Sequence, residues 1–172
     1  TLNRPGSGNS LSHALVDALS TTPRQIADDA DVRVVVLAAN GKHFCTGHDL
    51  KESIATKTGD EKRASNAACN AMMQAIVDLP QPVIAKVHGT ATASGCELMA
   101  SCDLAVAAQS ARFATPGVNI GFWCYTPQVA LSRAVSRKHA LEMLLTGELY
   151  PSEDALRMGL VNRVVPDDEL DA

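Results

Sequence analysis

Large rings are nearly missing from this chain: one Trp, two Tyr and three Phe among 172 residues. A core with so few rings must be filled by Ala, Val, Leu and Ile, which suits helices packed tightly on a sheet. Positive charge is not in excess either. The formal net charge is −4 and no dense Lys/Arg run occurs, which argues against a nucleic-acid partner. No apolar run approaches the ~20 residues of a membrane span, so no membrane partner is expected. Paired cysteines are lacking too. The five cysteines (Cys45, Cys69, Cys96, Cys102, Cys124) are odd in number and form no CxxC. That argues against a disulfide framework or zinc site and favours reduced thiols acting mostly as small buried hydrophobes. The histidines His13, His43, His48, His88 and His139 show no HExxH or paired spacing, so no metal site is expected. No secretory leader is visible. The expected location is therefore cytoplasmic, or mitochondrial if the source is eukaryotic. The abrupt opening on "TLNRP" and ending on "DDELDA" read as a fragment.

What is present alternates. "SLSHALVDAL" (10–19) has helical spacing, and Pro23 is expected to end it before a second short helix. "VRVVVLAA" (32–39) and "QPVIAKVHG" (81–89) are β-branched runs, read as strands buried on both faces. Helices are expected over 61–78 and 94–102, and a strand over 103–108. Thr126 as N-cap and Pro127 at the first position open another helix. Gly147 ends the next one. "PSEDALRMGLVNRVVP" is a short helix followed by a strand to Val165. Strands alternating with helices predict an α/β fold in one domain over 1–172, with a mostly parallel sheet and right-handed crossovers. In such folds ligands sit beyond the carboxyl ends of the strands. Those ends lead into loops 40–50 and 88–95, both containing glycine. Loop 88–95 runs straight into a helix whose start carries Glu97 among small and apolar residues. Backbone N–H groups from the two loops would make an oxyanion hole, although a glycine after a strand is more often only a turn.

Six segments in order carry a resemblance: "NRPGSGNSL", "FCTGHDLKE", "PVIAKVHGTATASGCELMASCDLAVA", "ARFATPGVNIGF", "ALEMLLTGE" and "ALRMGLVNRVVP". Together they resemble the enoyl-CoA hydratase/isomerase (crotonase) superfamily, most nearly its "enoyl-CoA hydratase domain-containing" branch. The resemblance implies a ClpP/crotonase spiral of repeated ββα units, with the family's C-terminal helices absent from this chain. It implies an acyl-CoA thioester as ligand, no separate cofactor, and a homotrimer or dimer of trimers. It places the oxyanion donors at the backbone N–H groups of His48 and Ser94. It puts Thr46, His48, Asp49, Leu50, Ala93, Ser94, Gly95, Pro116 and Gly117 along the substrate and CoA path. Hydratases of this family hold a water between two glutamates. Glu97 stands at the first position; the second is Gly117, in "FATPG" where the family has "FxxPE". Asp103 is the family's structural aspartate.

The implied function is an enoyl-CoA hydratase-like lyase of fatty-acid or related acyl-CoA metabolism, working with one retained glutamate. One carboxyl can in principle take a proton from water and hand it on, and removing one acid–base group lowers rates roughly 10²–10⁴-fold. Gly117 is expected to open space for a bulkier acyl chain, and a large gain in hydration by Gly117→Glu would show that the hole is intact and only the second acid is missing. Acyl-CoA hydrolysis and a non-catalytic acyl-CoA binder are the alternative functions. A serine hydrolase using Ser94 lacks both the G-x-S-x-G elbow and a histidine in the "ARFATPG" stretch. Arg4, Lys42 and Lys51 are read as surface charge, with CoA phosphates as their alternative partner. For Glu97, burial should raise the pKa and the helix start should lower it, and the sequence leaves the outcome open.

Overall fold

A computed structural model of the chain describes residues 1–55 and 58–172. Helix α1 (His13–Ala27) leads to strand β1 (Val35–Leu37) and helices α2 (Leu50–Ala55) and α3 (Gly59–Val77). Strands β2 (Val83–Val87) and β3 (Thr90–Thr92) precede helix α4 (Ser94–Ala100). Strands β4 (Leu104–Ala108) and β5 (Arg112–Ala114) precede a 3-10 turn at Pro116–Ile120 and helices α5 (Pro127–Ala134) and α6 (Arg137–Thr146). The chain closes with β6 (Tyr150–Pro151), α7 (Ser152–Met158) and β7 (Arg163–Val165).

The strands form two sheets, in the orders β1-β2-β4-β7 and β3-β5-β6. Pairing is parallel except between β5 and β6. The chain repeats one course. A strand in the first sheet is followed by a strand in the second, then by helix: β2, β3, α4, and then β4, β5, α5. The earliest turn does the same in reduced form, because Cys45 bridges Ala91 of β3 between β1 and α2. This is the expected ββα spiral. Caps support its helices. The Ser12 hydroxyl accepts from Leu15 N–H at the start of α1, and Thr58 and Glu61 form a reciprocal capping box on α3.

Helix α4 runs through the middle of the molecule, with every residue from Ser94 to Met99 buried. The core around it is Ala, Val, Leu, Met and Cys, with Met72, Met99 and Met143 fully enclosed and Ile76 the one isoleucine buried among the described residues. Methionine therefore fills the irregular gaps where Ile was expected. Half of the scarce aromatics are outside the core: Phe122, Trp123 and Tyr125 stand exposed in the turn before α5.

Four expectations are corrected. Helix α1 passes through Pro23 rather than stopping there. Pro23 is buried and α1 lies along α3, so tertiary packing outweighs the lost backbone bond. Strand β1 is an edge strand, not one buried on both faces: Val34 and Val36 are about half exposed. Residues 90–92 are a strand rather than open loop. A three-residue run behind Gly89 gives no periodic signal, and its partner β5 is distant in sequence. Thr126 does not cap α5; its hydroxyl goes elsewhere.

Candidate active site

Backbone contacts weld the two glycine loops together. Cys45 N–H donates to Thr90 O (3.1 Å) and Thr92 N–H to Cys45 O (3.0 Å). A Cβ added to Gly95 would lie 2.1 Å from Cys45 O, and one on Gly47, which has φ +94°, would lie 2.9 Å from the Ala93 Cβ and 3.4 Å from Ser94 N. Glycine at both positions is what lets the loops touch. Leu11 pairs with the 47–49 segment on its far side, through Leu11 N–H to Gly47 O and Asp49 N–H to Leu11 O. That pairing turns the His48 N–H away from Leu11. Among the described residues, neither His48 N–H nor Ser94 N–H donates a hydrogen bond to another backbone group. The predicted oxyanion donors are therefore both unpaired, on loops in direct contact.

Ala93 joins β3 to α4 with φ 50° and ψ −124°. Non-glycine residues avoid this region, at a cost of order 1–3 kcal/mol. The strained joint swings the chain so that Ser94 begins the helix with its N–H free.

Glu97 sits one turn into α4 and is 6% exposed. Burial dominates its titration and pushes the pKa from 4.5 up to about 7; hydrogen bonding from the Thr126 and Ser94 hydroxyls opposes the rise. Thr126 Oγ1 donates to Glu97 Oε2 at 2.9 Å. That bond explains why Thr126 leaves its helix uncapped. Desolvation thus wins over the helix start, which has only a short helix behind it.

The remaining site residues divide. Ser94 Oγ lies 2.9 Å from His48 Nδ1. Burial lowers the His48 pKa, so its ring is neutral at pH 7, and its Nε2 is buried without a partner. Sequence reasoning missed this pair because it sought a histidine near "ARFATPG", whereas the loops bring one from residue 48. Asp49 is committed to scaffold. Arg4 Nη2 donates to it at 3.0 Å, the Ser10 hydroxyl and Lys51 N–H also bond it, and the Arg4 contact holds its carboxyl below the ordinary value. Arg4 also donates to Ser10 O at 2.6 Å, so it is tied into the fold. Thr46 donates its N–H and hydroxyl to Gly8 O. Leu50 is exposed, and Lys42 lines an open groove with His43 and His88 whose lining includes none of His48, Ser94 and Glu97. Asp103 accepts from Val83 N–H at 2.7 Å, tying β4 to β2 as expected of a structural aspartate.

Position 117 contradicts its expectation. Gly117 is buried, and a Cβ there would lie 2.6 Å from Phe122 O and 2.8 Å from Cys124 Sγ. The position offers no room for a bulkier acyl group or for a glutamate. Burial raises all five thiols, Cys45 to about 11 and Cys69, Cys96 and Cys102 to about 12, which makes them poor nucleophiles. No group of His, Cys, Asp and Glu among the described residues could hold a metal ion.

The family model described as "Enoyl-CoA hydratase/isomerase" matches residues 1–172. The chain belongs to the enoyl-CoA hydratase/isomerase family. It is 49% identical over 169 residues to a Xenopus laevis protein named enoyl-CoA hydratase domain-containing protein 3, mitochondrial, covering 98% of this chain and 58% of that one. The human protein of the same name is 47% identical, with 98% and 56% covered. A Mycobacterium smegmatis enoyl-CoA hydratase structure superposes with a TM-score of 0.96 at 55% identity, covering 99% of this chain and 66% of that one. The fold is thus crotonase-like, and the chain spans little more than half the length of these curated relatives. No helix among the described residues is long and apolar enough to cross a membrane.

Proposed function

We propose that this chain carries the catalytic core of an acyl-CoA lyase that adds water across a 2-enoyl thioester. The observation that carries the reading is Glu97: a buried carboxyl with a pKa of about 7, one helical turn from the unpaired Ser94 N–H, on a loop packed against the one that carries His48. The thioester oxygen accepts from His48 and Ser94 N–H as the enolate forms. Such a donor contributes about 2.7–4 kcal/mol of transition-state stabilisation when it is preorganised. Glu97 is the proton-transfer group, with a pKa near working pH as efficient acid–base exchange requires. Ala93 and Gly95 border the thioester through their backbones. Thr46, Asp49 and Leu50 shape the CoA path, and Pro116 and Gly117 close the far wall. Fatty-acid or related acyl-CoA metabolism, a trimeric assembly and a mitochondrial location, as in the relatives' names, complete the proposal.

Incubation with crotonyl-CoA, with loss of the enone absorbance as the readout, tests the reading. Hydration that saturates with substrate is expected. Tight binding without turnover on crotonyl- and branched enoyl-CoA would instead make this chain a non-catalytic acyl-CoA binder. Ser94 is not the nucleophile of a hydrolase in this account. It is 2% exposed and its hydroxyl acts on Glu97 and His48, so a fluorophosphonate probe is expected to leave it unlabelled.

A further inference from the structure

A single carboxyl that takes a proton from water and returns it to Cα has to be held still. Glutamate has a long, flexible side chain, and a misplacement of about 1 Å can cost roughly 10²-fold in rate. What holds Glu97 comes from a distant part of the sequence. Thr126 Oγ1 donates to Glu97 Oε2 at 2.9 Å. Threonine is branched at Cβ, which leaves few χ1 rotamers open and aims the hydroxyl. Thr126 stands at the start of α5 with helical backbone angles, and its side chain makes no capping bond there. The hydroxyl goes to the carboxylate instead.

The turn that carries Thr126 is braced on both sides. Phe122 N–H donates to Gly117 O at 2.9 Å, and Gln128 N–H to Cys124 O at 3.1 Å. Trp123 Nε1 donates to Gln128 Oε1 at 2.9 Å, which ties together the residues before and after Thr126. The rings of Phe122 and Tyr125 meet edge to face, with centroids 6.1 Å apart. Pro127 is buried and sets the first helical residue. This is the same turn whose Phe122 O and Cys124 Sγ occupy the space beside Gly117. One path of the chain therefore closes position 117 to a second acid and delivers Thr126 to the first.

We infer that Thr126 is the positioning residue for Glu97, fixing Oε2 and leaving Oε1 as the oxygen that exchanges the proton. This rests on the reading of Glu97 as the proton-transfer group. An oxygen that already accepts a hydrogen bond is the poorer seat for a proton, so an acid held at Oε2 carries its proton on Oε1. As the water oxygen bonds to C3, its O–H breaks and that proton passes to Oε1. The C2=C3 electron pair moves into the thioester, giving the enolate. The enolate pair then takes the Oε1 proton to form the new C2–H bond. One water is consumed, and Glu97 ends ionised with Thr126 still on Oε2.

The ionisable groups around Glu97 do not titrate with it. Cys96 on α4, Cys69 on α3 and Cys124 in the turn before α5 lie near enough to interact with its charge, and burial raises all three thiols. His48, which meets the Ser94 hydroxyl of α4 at 2.9 Å, is pushed below its ordinary value of 6.5 by burial and so titrates below Glu97.

The test is the ¹³C NMR titration of the Glu97 carboxyl carbon in the whole chain, without substrate, with the signal assigned by its loss in Glu97→Gln. The unmodified chain should titrate with a midpoint near 7. Thr126→Val keeps the shape and removes the hydroxyl. It should raise the midpoint by about one unit, the size of one hydrogen bond to a charged group. Thr126→Ala should do the same and takes its place if the valine variant does not fold. Thr126→Ser keeps a hydroxyl and should bring the midpoint back. In crotonyl-CoA hydration, Thr126→Val should lower kcat about tenfold or more with KM changed less than about threefold, and Thr126→Ser should restore most of the loss. The pH profile of kcat should move upward with the carboxyl midpoint. A Glu97 midpoint indifferent to loss of the hydroxyl, or a serine variant that behaves like valine, overturns the positioning role. Absent hydration by the unmodified chain sinks the proposed function instead, and leaves the carboxyl titration to decide whether Thr126 holds Glu97.

Discussion

Glu97 shows how one residue's surroundings set its chemistry. Its acid is harder to ionise folded than unfolded, so the sign of its stability effect is fixed. Below pH 4.5 the group is protonated in both states and costs nothing. As pH rises from 4.5 to about 7, only the unfolded chain releases the proton, so stability falls by up to about 3 kcal/mol. Urea unfolding at pH 5 and pH 8 should show this loss, and Glu97→Gln should remove most of it. Ala93 is the second residue of interest. Its φ of 50° favours glycine, so Ala93→Gly should raise stability by about 1 kcal/mol in the same assay, strain relief outweighing added chain entropy. Gly117→Glu should behave oppositely to a sequence-based rescue: the clash with Phe122 O should cost 2 kcal/mol or more (order of magnitude) and hydration should not increase. Position 117 misleads in sequence because the atoms that fill it come from the next turn of chain, not from its own motif. Glu97 and the two proposed oxyanion positions came from the family resemblance, whose words run along one loop and one helical turn. The Ser94–His48 contact was not, since it depends on loops apart in sequence being pressed together.

At the scale of elements, local pattern placed most helices and the long strands of the first sheet. It failed where context decides. Strand β3 has three residues and gains its identity from β5. Strand β1 reads as fully buried from its valines, yet edge position leaves one face open. Helix α1 keeps Pro23 because packing on α3 overrides propensity. Replacing it by Ala would restore a backbone donor at the cost of some unfolded-state entropy. A net gain of about 1 kcal/mol in urea unfolding is expected. The β3–α4 joint depends on Gly47 and Gly95 touching neighbouring backbone, so Gly95→Ala, 2.1 Å from Cys45 O, should separate the loops and abolish turnover even in protein that still folds.

Across the whole molecule, two sheets and a buried central helix hold the site on rigid elements. Family membership and the spiral agree with one another, and the departures cluster at the candidate site. A serine stands at a helix start, a histidine beside it, and a glycine where no acid fits. Those departures ask what one glutamate does alone, and a kinetic comparison answers most directly. Crotonyl-CoA hydration should be measured for the unmodified chain and for Glu97→Gln, both confirmed folded by circular dichroism. The account predicts turnover by the unmodified chain and a loss of about 10²–10⁴-fold in kcat for the variant. Equal turnover by the two would contradict it.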